Sequence, residues 1–127
     1  MADTYRPGQC NIGADGRRKR LLTGGVGAVA AVGLAAAVLV LDWPTVALSA
    51  TAAPLFMAFL GYFQARRSFC AGFALRGAYA VDDERGTVTD ADARAADRLA
   101  ARHIIRDAAI AAVAIAATVT VLGVVVL

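Results

Sequence analysis

Three uninterrupted apolar runs constrain this chain more than anything else in it. They cover Leu21–Leu41, Trp43–Ala65 and Ala108–Leu127, and none of them contains a charged side chain. Each is about 20 residues long, enough at about 1.5 Å per residue to cross a hydrocarbon core about 30 Å thick. Inside such a core every backbone N–H and C=O has to be bonded within the segment, so helices follow. A transmembrane barrel would need apolar and polar residues in alternation, and none of the three runs alternates. The expected fold is an all-α integral membrane protein, one membrane domain with transmembrane helices at 21–41, 43–65 and 107–127. Little more than Asp42, Trp43 and Pro44 separates the first two, which therefore form a hairpin. Composition agrees: 59% of the residues are hydrophobic and 18% charged, against about 25% charged in ordinary soluble chains. That balance excludes both a soluble globular domain and a disordered one.

The basic residues give the orientation. Arg6, Arg17, Arg18, Lys19 and Arg20 precede the first run; Arg66, Arg67, Arg76, Arg85, Arg94, Arg98, Arg102 and Arg106 lie between the second and third, accounting for all 13 Lys and Arg. The opposite side offers only Asp42. The positive-inside bias places 1–20 and 66–106 in the cytoplasm and Leu127 outside, as in a multi-pass protein of the cell membrane. The first run is longer than a signal-peptide core of 7–15 residues and a second follows at once, so it reads as a retained span.

Local signals fill in the outline. Asp42 sits at the positive end of the second helix, Trp43 is an interfacial anchor, and Pro44 suits the first helical turn. Pro54 predicts a kink in the second span, with Ser49 or Thr51 meeting the freed carbonyl. Residues 66–80 either prolong the second helix or form a short interfacial amphipathic piece. Val81–Gly86 is a charged turn, and Thr89-x-x-Asp92 resembles a capping box that starts a helix near Thr89 or Asp90. From Asp90 onward there is no Pro, so the third helix begins in the cytoplasm and runs unbroken for about 55 Å. Gly27, Ala31 and Ala35 in the first helix, and Ala108, Ala112, Ala116 and Thr120 in the third, mark faces for close helix packing or for a homodimer.

Arg94, Arg98, Arg102 and Arg106 recur every four residues, with Asp90 and Asp97 spaced to pair with Arg94. This stripe reads either as a solvated helix face or, with Arg17, Arg18, Lys19, Arg20, Arg66 and Arg67, as a patch for anionic headgroups or an acidic partner. Nucleic acid is not an expected partner. No ionisable residue lies at depth in a span, which argues against a transporter working alone. No phosphate-binding glycine loop, zinc signature or nucleophile motif appears, so no catalytic residue, cofactor or metal is assigned. Cys10 and Cys70 flank the hairpin on its cytoplasmic side. They read as a thiol pair or persulfide carrier, as part of a metal site with His103, or as compact packing residues. Asp107, four residues after His103, reads as its interfacial partner.

Two stretches carry a resemblance. Asn11-Ile12-Gly13 followed by Arg17 and Arg20, then Phe69-Cys70 with Leu75 and Gly77, resembles the YgaP-like transmembrane domain family over residues 10–77. Cys10-Asn11-Ile12-Gly13 together with Gly61-Tyr62-Phe63-Gln64-Ala65-Arg66 is also similar to a set of small three-span bacterial and archaeal membrane proteins. The chain departs from the hairpin family at Ala71, where proline is usual, and in its long third helix. The resemblance implies membrane residence and helix association. It hints at sulfur chemistry, because some members are fused to rhodanese domains, which this sequence lacks.

The leading expectation is a small integral membrane protein with a structural or partner-binding role, contacting the bilayer's anionic headgroups, a second copy of itself or a larger membrane complex. The rivals are a thiol redox or sulfur-relay protein using Cys10 and Cys70, and an accessory subunit of a transporter or respiratory complex. Topology is directly testable: reporter fusions should place residue 1 and the Val81–Arg85 loop inside and Leu127 outside. An inside readout at Leu127 would remove one span.

Overall fold

The computed structural model describes residues 4–81 and 84–127. Helix α1 (Ala14–Val40) leads into a 3-10 helix (Thr45–Thr51) continuous with α2 (Ala52–Arg67). A short α3 (Ala71–Arg76), strands β1 (Ala78–Val81) and β2 (Glu84–Thr87), and the long α4 (Ala91–Val126) complete the chain. Three helical segments, Ala14–Val40, Thr45–Arg67 and Ala91–Val126, are long and apolar enough to cross a membrane. The all-α class fits, with one addition the sequence reading lacks: β1 and β2 form an antiparallel hairpin pairing Ala78 with Thr87 and Val81 with Glu84. Asp82 and Asp83 of the charged turn lie outside the described residues.

The α1–α2 connection uses Asp42 differently from the expectation for a helix start. Asp42 adopts a left-handed conformation (φ 54°), and the Trp43 N–H returns to the Val38 carbonyl at 3.1 Å. Asp42 therefore terminates α1 in a Schellman turn, a place where Asp is tolerated because its short side chain fits left-handed backbone. Ser68 (φ 53°) repeats the device at the end of α2, with the Phe69 N–H bonded to the Gln64 carbonyl at 3.0 Å. That stop overrides one reading of 66–80: α2 is not prolonged, and the segment divides into the short helix α3 and strand β1.

Pro54 lies in mid-span, the tenth of the 23 residues of the second crossing Thr45–Arg67. It is the third residue of α2, and two residues before it, at Ala52, the crossing changes from 3-10 to α helix. Ser49 and Thr51 hydroxyls donate to the Val46 and Leu48 carbonyls, both at 2.7 Å. At the start of α4, Asp90 itself is the cap, accepting from the Ala93 N–H at 2.9 Å. In place of a Thr89 capping box there is a single side-chain cap one residue later, with Asp92 in the first turn.

Packing between the long helices rests on backbone approach. Gly24, Gly27 and Ala31 are buried on α1, so the small face begins a turn earlier than expected and Ala35 is only half-buried. A Cβ on Gly61 would lie 2.5 Å from the Arg20 carbonyl oxygen, and one on Gly27 2.7 Å from the Pro54 carbonyl oxygen. On α4, Ala108, Ala112 and Ala116 are buried as a row. The row runs on to Gly123, where the Leu48 side chain occupies the space a Cβ would need. Thr120 is half-buried, its hydroxyl bonded to the Ala116 carbonyl at 2.6 Å.

At Gly25 and Gly33, by contrast, a Cβ would meet nothing within 4 Å. Substituting Gly61→Val should therefore lower stability by about 3 kcal/mol, an overpacking cost against backbone that cannot yield. Gly25→Ala should leave it unchanged or raise it by up to about 1 kcal/mol through helix propensity. Thermal unfolding in detergent measures both.

Candidate functional site

The N-terminal segment, the end of α2, α3 and the β-hairpin meet at the basic end of the helix bundle, and Asn11 lies at their centre. It is fully buried, at 0% exposure. Its side-chain Nδ2 donates to the Cys70 carbonyl at 3.0 Å while its Oδ1 accepts the Cys70 N–H at 2.6 Å. The Asn11 backbone N–H donates to the Ser68 carbonyl at 3.0 Å, and its carbonyl accepts from the Ala80 N–H at 3.0 Å. One residue thus ties the α2–α3 turn to β1. Ile12, also at 0% exposure, and Gly13 extend the contact, Gly13 donating to the Ala80 carbonyl at 3.3 Å.

Arg17 and Arg20 lie one turn apart on α1, so their side chains leave the same face. Both reach the same turn: Arg17 Nη1 donates to Ser68 Oγ at 2.9 Å, and Arg20 Nη2 to Cys70 Sγ at 3.0 Å. Arg20 also covers the Phe73 ring at 5.5 Å, and Arg76 lies 5.4 Å from the centroid of the same ring. The structure therefore brings Asn11, Arg17, Arg20 and Cys70 into one constellation around residues 68–70. Phe69 belongs to the core cluster with Ala71, Ala74, Ala101 and Ile104. Gly77 (φ 69°) ends α3, and the Arg94 guanidinium lies over it where a Cβ would be 3.0 Å away.

Both cysteines are buried thiols. Cys70 Sγ receives the Arg20 contact, and Cys10 Sγ donates to the Ile12 carbonyl at 3.5 Å. Among the described residues no group of three or more His, Cys, Asp or Glu is placed to hold a metal ion. His103 is exposed, and Asp107 pairs with Arg67 and Arg106, each at 3.1 Å, instead of with His103. Arg18, Lys19, Arg66, Arg98 and Arg102 are exposed.

Sequence reasoning missed a latch between the N-terminal segment and α4. Asp97 is fully buried at 0% exposure and accepts from the Tyr5 hydroxyl at 2.6 Å and the Gly8 N–H at 2.7 Å. It is not an Arg94 partner, because it points into the packed face of α4 whereas Arg94 is exposed. Tyr5 stacks on Tyr79 with centroids 4.8 Å apart. Burial, reinforced by the adjacent Asp97 carboxylate, pushes the Tyr5 phenol above its ordinary range. The available signal was spacing: Asp97 falls in register with Ala93, Ala101 and Ile104 on one helical stripe.

Comparison with protein-family models, with curated proteins and with solved structures finds no match in any of the three. The residue at position 71 has a local role. Ala71 donates its N–H to the buried Gln64 Oε1 at 2.8 Å, a bond that proline cannot make. Position 71 opens α3, where proline is otherwise favoured. Replacing Ala71→Pro should cost about 1–2 kcal/mol by orphaning the Gln64 carbonyl oxygen. In a Gln64→Leu background the same change should cost nothing. A double-mutant cycle on thermal stability reads the coupling, and strict additivity would break the assignment.

Proposed function

We propose that this chain is a small multi-pass membrane protein without catalytic activity of its own, which holds a basic headpiece against the anionic cytoplasmic surface. The observation that carries the reading is the division of the surface. Large apolar side chains such as Leu22, Val29, Val32, Val113, Val121 and Val125 are each more than half exposed, along helices long enough to span a bilayer. A patch of that extent is incompatible with water. The charged groups collect at the other end, where Arg20 reaches Cys70 and Arg67 pairs with Asp107. Those contacts lie near the ends of all three apolar runs and support reading their level as the membrane boundary. The basic bias then sets that level at the cytoplasmic face, with Leu127 outside.

The arginine stripe divides by height. At about 1.5 Å per residue, Arg102 stands about 9 Å above Ala108 and Arg94 about 21 Å. Surface potential decays within about 8 Å at physiological salt. Arg102 and Arg106, with Arg18, Lys19 and Arg66, are in reach of headgroups, whereas Arg98 faces an acidic partner or solvent and Arg94 lies against Gly77. The thiol-relay reading draws support from one contact, the Arg20 guanidinium on Cys70. The burial of both sulfurs favours packing, and slow alkylation of Cys10 and Cys70 with no cross-link on mild oxidation is the expected outcome.

The lipid contact is tested in vesicles by measuring the selectivity of the full chain for spin-labelled phosphatidylglycerol over phosphatidylcholine. Selectivity should fall with salt and with Arg66→Gln plus Arg102→Gln, each charge contributing about 1 kcal/mol. It should not respond to Arg98→Gln. Selectivity indifferent to salt and to the paired substitution would overturn the reading.

A further inference from the structure

A cavity of about 460 Å³ opens between the first turn of α1 and the β-hairpin, and the function proposed above does not use it. Its volume falls in the range of small-ligand sites, about 300–1,000 Å³. Among the described residues three cations line it, Lys19 and Arg20 from α1 and Arg85 from β2, against one carboxylate, that of Asp15. Those described groups leave two positive charges in a concave site, where low-dielectric walls concentrate the field.

The α1 wall supplies donors as well as charge. No side chain caps the helix at Gly13, and the first N–H to find an intrahelical carbonyl is that of Arg17, bonded to Gly13 at 2.9 Å. The N–H groups of residues 14–16 thus have no intrahelical partner, and Asp15 and Gly16 both line the cavity. Gly16 is bare for a packing reason: a Cβ there would lie 2.8 Å from Ile12 Cβ. On the far wall, Gly86 lies against the Tyr79 hydroxyl, 2.9 Å from where its Cβ would be. The site therefore combines cations from both walls with the uncapped first turn of α1 and an aromatic residue, Tyr79.

We propose that this cavity binds one phosphate group, as an anionic lipid headgroup carries it. The inference rests on the membrane reading for its ligand source. Gly16 stands five residues before Leu21, so the amides lie about 8 Å from the start of the apolar run, at headgroup depth. Asp15 is the opposing element in the pocket: it keeps affinity below what the cations alone would give.

The test uses the full chain labelled with 15N-glycine in neutral detergent. It is titrated in separate arms with short-chain phosphatidylglycerol and with inorganic phosphate. The amides of Gly13, Gly16 and Gly86 should shift saturably, at lower concentration for the lipid. Lys19→Gln and Arg85→Gln, both away from the packed core, should each weaken binding about tenfold, and Asp15→Asn should tighten it several-fold. Saturation by phosphate but not by the lipid keeps the anion site and overturns the headgroup as its source. Absence of saturable shifts in both arms, or shifts indifferent to all three substitutions, overturns the site. Lipid selectivity in vesicles is the separate readout: if it persists while the cavity amides stay still, only this inference fails, and if both are lost the membrane-surface reading fails with it.

Discussion

A chain that turns sharply at Ser68 and again at Gly77 within one buried region has to satisfy the backbone groups those turns strand. Here the side-chain amide of Asn11 does so for Cys70, offering a donor and an acceptor in the spacing of a neighbouring strand. Leaving a buried backbone group unpaired costs about 1–3 kcal/mol, so the turn depends on this one side chain. The dependence runs both ways, because Asn11 is held in place by Ser68 on one side and Ala80 on the other. Remove that pairing and the N-terminal segment, α3 and the hairpin lose their common reference.

Helix α4 is the second organising element. Ala93, Asp97, Ala101, Ile104, Ala108, Ala112, Ala116 and Gly123 are buried along it, three or four residues apart until the last step, so one face serves the whole length. Two different forces hold that face. Above Asp107 it packs against Phe69, Ala71 and Ala74, where burial of apolar area from water is the drive. Below Asp107 its neighbours are the other apolar helices, and in lipid the gain would come from close backbone contact through small residues. Asp97 interrupts the apolar face without penalty because Tyr5 and Gly8 supply its hydrogen bonds.

The short motifs around Asn11 and Cys70 acquire a mechanical meaning from this geometry. Arg17 and Arg20 are spaced so that two guanidinium groups on one helix face reach two successive features of one turn, the Ser68 hydroxyl and the Cys70 sulfur. The sulfur acts as a hydrogen-bond acceptor in a packed site, a use that a compact, polarisable side chain permits. Gln64 and Ala71 form a similar pair, which explains in this chain why an amide nitrogen stands where a proline would otherwise suit the helix start.

Hydropathy and charge alone determined the three long helices, the gathering of charge at one end, and the small-residue row on α4, because each follows from a repeating pattern along one segment. The start of a helix near Thr89 or Asp90 and the hairpin at Asp42–Pro44 were legible for the same local reason. The hairpin of β1 and β2 was not: four-residue strands carry too little alternation to be seen, and β1 is held by its pairing with β2 and by Asn11 and Gly13. Nor was the 3-10 start of the second crossing visible, since nothing in the residues of Thr45–Thr51 separates a 3-10 turn from an α turn. Asp97 looked like a surface acid because its partners, Tyr5 and Gly8, lie some ninety residues away. Only the tertiary structure could decide those points: a buried polar group is stable through partners that sequence distance hides, and it is the folded chain that brings them within hydrogen-bond reach.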